Sequence, residues 1–116
     1  MLIAAQVLQE RNDLDGAKEQ LEWLIANSSD PAFVPLAKLR LAGVLLEQKQ
    51  YDQALAQVAD APPAFAGLYA DRQGDILLAQ GKAAEARKAW ETALEALGAN
   101  PATQIVQLKI DALGGA

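Results

Sequence analysis

The 116-residue chain contains no cysteine and no histidine. Without cysteine there is no disulfide framework and no thiolate metal site, and the compartment cannot be read from redox usage. The loss of histidine as well removes most metal-binding sets and most nucleophile-base pairs at once. The reading is therefore no metal, no cofactor and no enzyme. Basic residues are also scarce, 10 Lys and Arg against 15 Asp and Glu for a net charge of -5. That balance disfavours nucleic acid and anionic membrane surfaces, both of which attract basic patches. Long apolar runs are lacking too. The longest apolar-rich stretch, residues 31–46, is interrupted by Lys38 and Arg40, and nothing reaches the roughly 20 residues that span a bilayer. Only 12 residues are β-branched, against 25 alanines and 18 leucines, which favours helix over strand.

What the chain does have is one motif written three times. A small residue stands twelve positions before an alanine, and a bulky apolar residue follows that alanine by four. The copies are Ala5, Val7, Leu8, Leu14, Ala17, Leu21, then Ala42, Val44, Leu45, Tyr51, Ala54, Val58, then Gly74, Ile76, Leu77, Ala83, Ala86, Trp90. Spacing inside each copy is constant, while the anchoring alanines lie 37 and then 32 residues apart. A fixed unit with variable connections is the signature of a helix-turn-helix repeat. Such hairpins cannot bury both faces alone and are stable as stacked arrays with capped ends. The small residues are expected where paired helices approach most closely.

The expected architecture is all-α, an α-solenoid of three helix-turn-helix repeats over about residues 1–27, 31–60 and 63–98, with a capping helix over about 101–113. Asn12 and Asp13 join the first pair, Asn tolerating a left-handed C-cap and Asp serving the next N-cap. Asp30 caps a helix with Pro31 at its first position, where a lost N-H matters little. Pro62 and Pro63 stop the short second helix of the middle pair. Gly81 ends the first helix of the third pair, and Asn100 with Pro101 opens the last helix. That helix carries Ile105, Leu108, Ala112 and Val106, Ile110, Leu113 on adjoining rows. Leu2, Ile3, Ala5 and Leu8 are already in helical rhythm, so the chain reads as a fragment of something longer.

The small-residue, aromatic and alanine positions resemble the tetratricopeptide repeat over nearly the whole chain, with Trp90 in the large aromatic place. More narrowly, Leu39-Arg40-Leu41-Ala42, Leu45 through Leu55, Arg72-Gln73-Gly74-Asp75-Ile76-Leu77-Leu78-Ala79 and Gln107-Leu108-Lys109-Ile110-Asp111 are similar to the YfgM-like ancillary subunit family of the bacterial SecYEG translocon. That resemblance implies a membrane-anchored parent whose tetratricopeptide domain lies on the periplasmic side of the inner membrane. It implies a noncatalytic adaptor that touches the translocon and a peptidyl-prolyl isomerase-type chaperone of secreted proteins. The family's anchoring helix has no counterpart among these residues, so localisation rests on resemblance to a part.

In such repeats the first helix of each pair lines the concave side. This places Leu36, Leu39, Gly43, Leu46 and Glu47 of the second repeat and Leu68, Asp71, Arg72, Asp75 and Leu78 of the third in a protein-binding groove. The Lys and Asn residues with which one subgroup of the family clamps peptide carboxylates are absent there. A mostly apolar groove with an acidic rim follows. Residues 31–48 are apolar on nearly every side, either as a central core helix or as a strip, Leu36, Leu39 and Leu46, that docks a partner. Asp71 and Asp75 stand one turn apart but have no third ligand or base nearby, so they read as solvated charge. Trp90 reads as core, while Trp23 is open between core and binding. Two alternatives from other classes remain. One is a self-assembling homodimer through the uncapped face Leu2, Ile3, Val7 and Leu8; the other is a cytoplasmic repeat adaptor unconnected with secretion.

Overall fold

The computed structural model describes residues 13–113. Among the described residues there are six α-helices, one short 3-10 turn and no strand, so the all-α, helix-turn-helix expectation holds. The helix expected over residues 2–11, and with it the face Leu2, Ile3, Val7 and Leu8, lies outside the described residues. The chain divides into two compact units, residues 1–57 and 58–116.

The first unit holds α1 (Leu14–Asn27), α2 (Phe33–Glu47) and α3 (Tyr51–Gln57). Asp13 caps α1, its carboxylate accepting the Gly16 backbone N-H at 3.0 Å, which satisfies one of the first-turn donors. Ala17, Leu21 and Leu24 fall on one side of the helix and are buried, the i, i+4, i+7 spacing of a single face. Between α1 and α2, Asp30 accepts the Ala32 N-H on its side chain at 2.9 Å and the Phe33 and Val34 N-H groups on its carbonyl. Asp30 is thus the cap anticipated, although regular helix begins at Phe33 and Pro31 with Ala32 form the lead-in turn.

In α2 eight residues are buried, Pro35, Ala37, Leu39, Leu41, Ala42, Gly43, Val44 and Leu45. A helix apolar on most sides gains most by being enclosed. It ends in a pair of reversed bonds, Gln50 N-H to Leu45 carbonyl at 2.9 Å and Lys49 N-H to Leu46 carbonyl at 3.0 Å, with Lys49 at φ 62°. That is a Schellman motif with a lysine in the left-handed position where glycine is usual. Gln48, at the same end, donates its side-chain amide to Asp15 of α1 at 2.8 Å. Ala54 of α3 is fully buried.

The second unit holds a 3-10 turn (Pro63–Phe65), α4 (Ala66–Ala79), α5 (Ala83–Leu97) and α6 (Ala102–Ala112). Two residues expected at the start of α4 thus belong to the tighter turn, because Pro62 and Pro63 feed the chain in extended. The turn from α4 to α5 repeats the Schellman bonds, Lys82 to Leu77 and Gly81 to Leu78, both 2.9 Å, now with Gly81 at φ 82°.

Helices α4 and α5 approach at two glycines. A β-carbon on Gly67 would run into the Leu97 side chain, and one on Gly74 into the Trp90 indole. Residues 67 and 74 are seven apart, as are 90 and 97 in the opposite direction, which fixes an antiparallel register two turns long. The close approach lets Trp90 be only 2% exposed. Around it gather Ala70, Ala86, Ala93, Val106 and Ile110, with Leu77, Leu94, Leu97 and Leu113 at the edge.

Asn100 caps α6 as Asp30 caps α2, its side chain accepting the Ala102 N-H at 2.9 Å. Of the two apolar rows on α6, only that of Val106 and Ile110 is buried; Ile105 and Leu108 are 58% and 66% exposed. Ala17, Ala54 and Ala86, the anchors of the threefold motif, are all fully buried.

Candidate protein-interaction surface

The first helix of a repeat offers a partner whatever its own core does not take. On α2, Leu39 and Gly43 are buried, Leu36 and Leu46 are half-buried and Glu47 is exposed. Leu39, at 9% exposure, and Gly43 therefore offer a ligand little surface, because the same enclosure that stabilises α2 covers them. On α4, Leu68, Asp71, Arg72 and Asp75 are half-buried, and Leu78 is 42% exposed. The two sets belong to different units of the chain.

Asp71 and Asp75 are not solvated charge. The Lys109 ammonium, reaching over from α6, lies 2.9 Å from Asp71 Oδ1 and 2.9 Å from Asp75 Oδ1. Arg72 adds a looser contact to Asp75 at 3.9 Å. Partial burial pushes the Asp75 carboxyl above its ordinary value against the opposing pull of Lys109. For Lys109, burial alone would lower the ammonium; its hydrogen bonds to Asp71 and Asp75 outweigh that and leave it above its ordinary value. The acidic rim is thus a socket for the last helix. The spacing of the two aspartates was legible, but their partner was not, because Lys109 follows by more than thirty residues and only the packing of Val106 and Ile110 brings it round.

Trp23, left open between two roles, is 53% exposed. With Leu24, Asn27, Ser28 and Phe33 it borders a depression of about 380 Å³ at the α1 to α2 corner. Trp90 is core, its indole N-H donating to the Asp71 carbonyl at 3.1 Å. Among the described residues no group of three or more acidic side chains could hold a metal ion, and no helix is long and apolar enough to cross a membrane. What these elements present is aliphatic and aromatic surface with internally paired charge, suited to holding protein segments rather than to bond-breaking chemistry.

Comparison with known proteins agrees with this geometry. A family model described as a tetratricopeptide repeat-like domain matches residues 1–115. The chain is similar to proteins named ancillary SecYEG translocon subunit. It is 37% identical to that of Neisseria gonorrhoeae over 97% of this chain and 54% of the relative. To that of Escherichia coli it is 33% identical over 94% of this chain and 53% of the relative. To that of Aggregatibacter actinomycetemcomitans it is 30% identical over 97% and 55%. The chain thus spans about half the length of the curated relatives it matches. No solved structure gives a significant match.

Proposed function

Because the chain belongs to the tetratricopeptide repeat-like domain family, we propose that it is the interaction domain of a noncatalytic adaptor that works beside the SecYEG translocon. It acts on the periplasmic side of the inner membrane and connects the translocon to chaperones of secreted chains, a peptidyl-prolyl isomerase-type chaperone among them. The single observation that carries this reading is similarity along nearly the whole chain to three proteins named as ancillary SecYEG translocon subunits. The physical account is consistent with it: hairpins with enclosed interiors leave side surfaces for other proteins, and the half-buried Leu36, Leu46 and Leu68 with the exposed Leu78 are proposed as part of the contact surface.

The test uses purified components. The full chain is immobilised, and detergent-solubilised SecYEG and a purified periplasmic peptidyl-prolyl isomerase are passed over it separately. Saturable binding of either, weakened at least tenfold by Leu78→Asp while the circular dichroism of the variant stays helical, supports the proposal. Absence of binding to both by the folded chain overturns it.

A further inference from the structure

We propose that α6 is an exchangeable cap, able to leave the α4–α5 hairpin of its own chain and seat on that of a second copy, giving a reciprocal dimer. The occupant of the exchanged seat is set by chemistry already visible within one chain. Val106, Ile110 and Leu113 lie against Trp90, Ala93, Leu94 and Leu97, so the seat reads aliphatic side chains at i, i+4 and i+7 of a helix. Asp71 and Asp75 read a cation at i+3, met by Lys109 at 2.9 Å from each. A paired charge placed inside an otherwise apolar contact fixes which helix and which register fit. The α6 of another copy satisfies both requirements without rearrangement.

The corner that tethers α6 is built to open. Residues 98–101 are all exposed, and the bonds at the corner are local, Asn100 N-H to Leu97 carbonyl at 3.0 Å and Thr103 hydroxyl to Gly98 carbonyl at 2.9 Å. Gly98 makes the reversal at φ 55°, a conformation that only glycine leaves and re-enters freely. The Asn100 cap travels with its helix, because it bonds to Ala102 within the same segment. Seated in cis or in trans, α6 makes the same contacts, so concentration sets the balance between the two states. The net charge of -5 opposes the meeting of two copies in general, whereas each exchange sets one cation against two carboxylates.

The test works on the unaltered chain. Isotopically heavy and light protein are mixed in equal amounts at millimolar concentration, incubated and treated with a zero-length carbodiimide, which joins ammonium to carboxylate only at ion-pair distance. Mass spectrometry of peptides linking Lys109 to Asp71 or Asp75 then reports which copy supplied each side. Exchange predicts mixed heavy-light links that become more frequent as the concentration at mixing is raised. Links that remain purely heavy-heavy and light-light at every concentration overturn the proposal, and so does a dimer whose Lys109 links stay within one copy. A second measurement uses the variant Lys109→Glu mixed with the variant carrying Asp71→Lys and Asp75→Lys. Each repels α6 in cis and accepts it from the other, so light scattering should show a 1:1 complex of about twice 12.3 kDa. Two folded monomers in the mixture would count against exchange.

Discussion

The indole of Trp90 occupies the space that a side chain on Gly74 would need, while its N-H is bonded to the Asp71 carbonyl one turn earlier in α4. The largest side chain of the threefold motif therefore faces its smallest residue, where the other copies combine Ala5 with Leu21 and Ala42 with Val58. Gly74→Ala is expected to destabilise the chain by roughly 1–3 kcal/mol, the usual range for overpacking, even though alanine favours helix over glycine by about 1 kcal/mol. Urea denaturation measures it. Adding Trp90→Leu should cost less in the Gly74→Ala background than alone, giving a negative coupling in the double-mutant cycle.

Lys49 and Gly81 occupy the same place in successive repeats, and only one of them is suited to it. A left-handed conformation disfavours a residue bearing a β-carbon by about 1–2 kcal/mol. Lys49→Gly should accordingly raise the urea midpoint, by up to about 1 kcal/mol after the greater chain entropy of glycine is subtracted. Gly81→Ala should lower it. A decrease with Lys49→Gly would contradict the assignment of the turn.

The socket of Lys109 gives a directional pH dependence. The ammonium is held above its ordinary value of 10.5, so its contribution to stability is complete below that pH and is lost as pH rises through the higher folded value. Asp75 has the opposite sense for a carboxylate: burial raises its folded value, so its ionisation weakens the fold as pH rises through the carboxylate range. Lys109→Met leaves two carboxylates facing one another and should cost on the order of 1–2 kcal/mol at pH 7, discounted for partial exposure. Asp75→Asn should cost less, because it also removes a charge that burial disfavours. Thermal melts from pH 7 to 11.5 test the alkaline limb, which Lys109→Met should flatten.

On α6 the two apolar rows should respond unequally. Ile110→Ala removes a buried side chain and is expected to cost about 2–4 kcal/mol. Leu108→Ser and Ile105→Ser, at exposed positions, should stay within about 0.5 kcal/mol of the parent. Equal losses in both rows would mean that the outward face is covered.

Much of this fold could be read before any coordinates, because it depends on local chemistry. Asp13, Asp30 and Asn100 announce helix starts through their own side chains, and Pro62 with Pro63 announces a stop, all within a few residues of the effect. The motif alanines were legible because the repeat writes the same contact more than once. Lys49 was harder: its left-handed turn follows from alignment with Gly81, while lysine by itself suggests nothing of the kind. Gly67 went unremarked because its reason, Leu97, lies thirty residues away. The surface was the least legible part. Period alone assigns a face to Leu39 and Gly43, but whether that face is open depends on what packs over it, and the same is true of Asp71 and Asp75, whose cation arrives from another helix.

Helices α2 and α6 share one kind of beginning, an Asp or Asn followed by Pro and Ala, with the first side chain gripping the third residue's N-H. Each helix is thereby counted from a chemically fixed origin. A single residue inserted after either proline would turn everything downstream by about 100°, carrying Val106 and Ile110 away from Trp90 and swinging Lys109 off its carboxylates. Loops elsewhere in the chain can lengthen without harm; these two starting marks tolerate no added residue behind them.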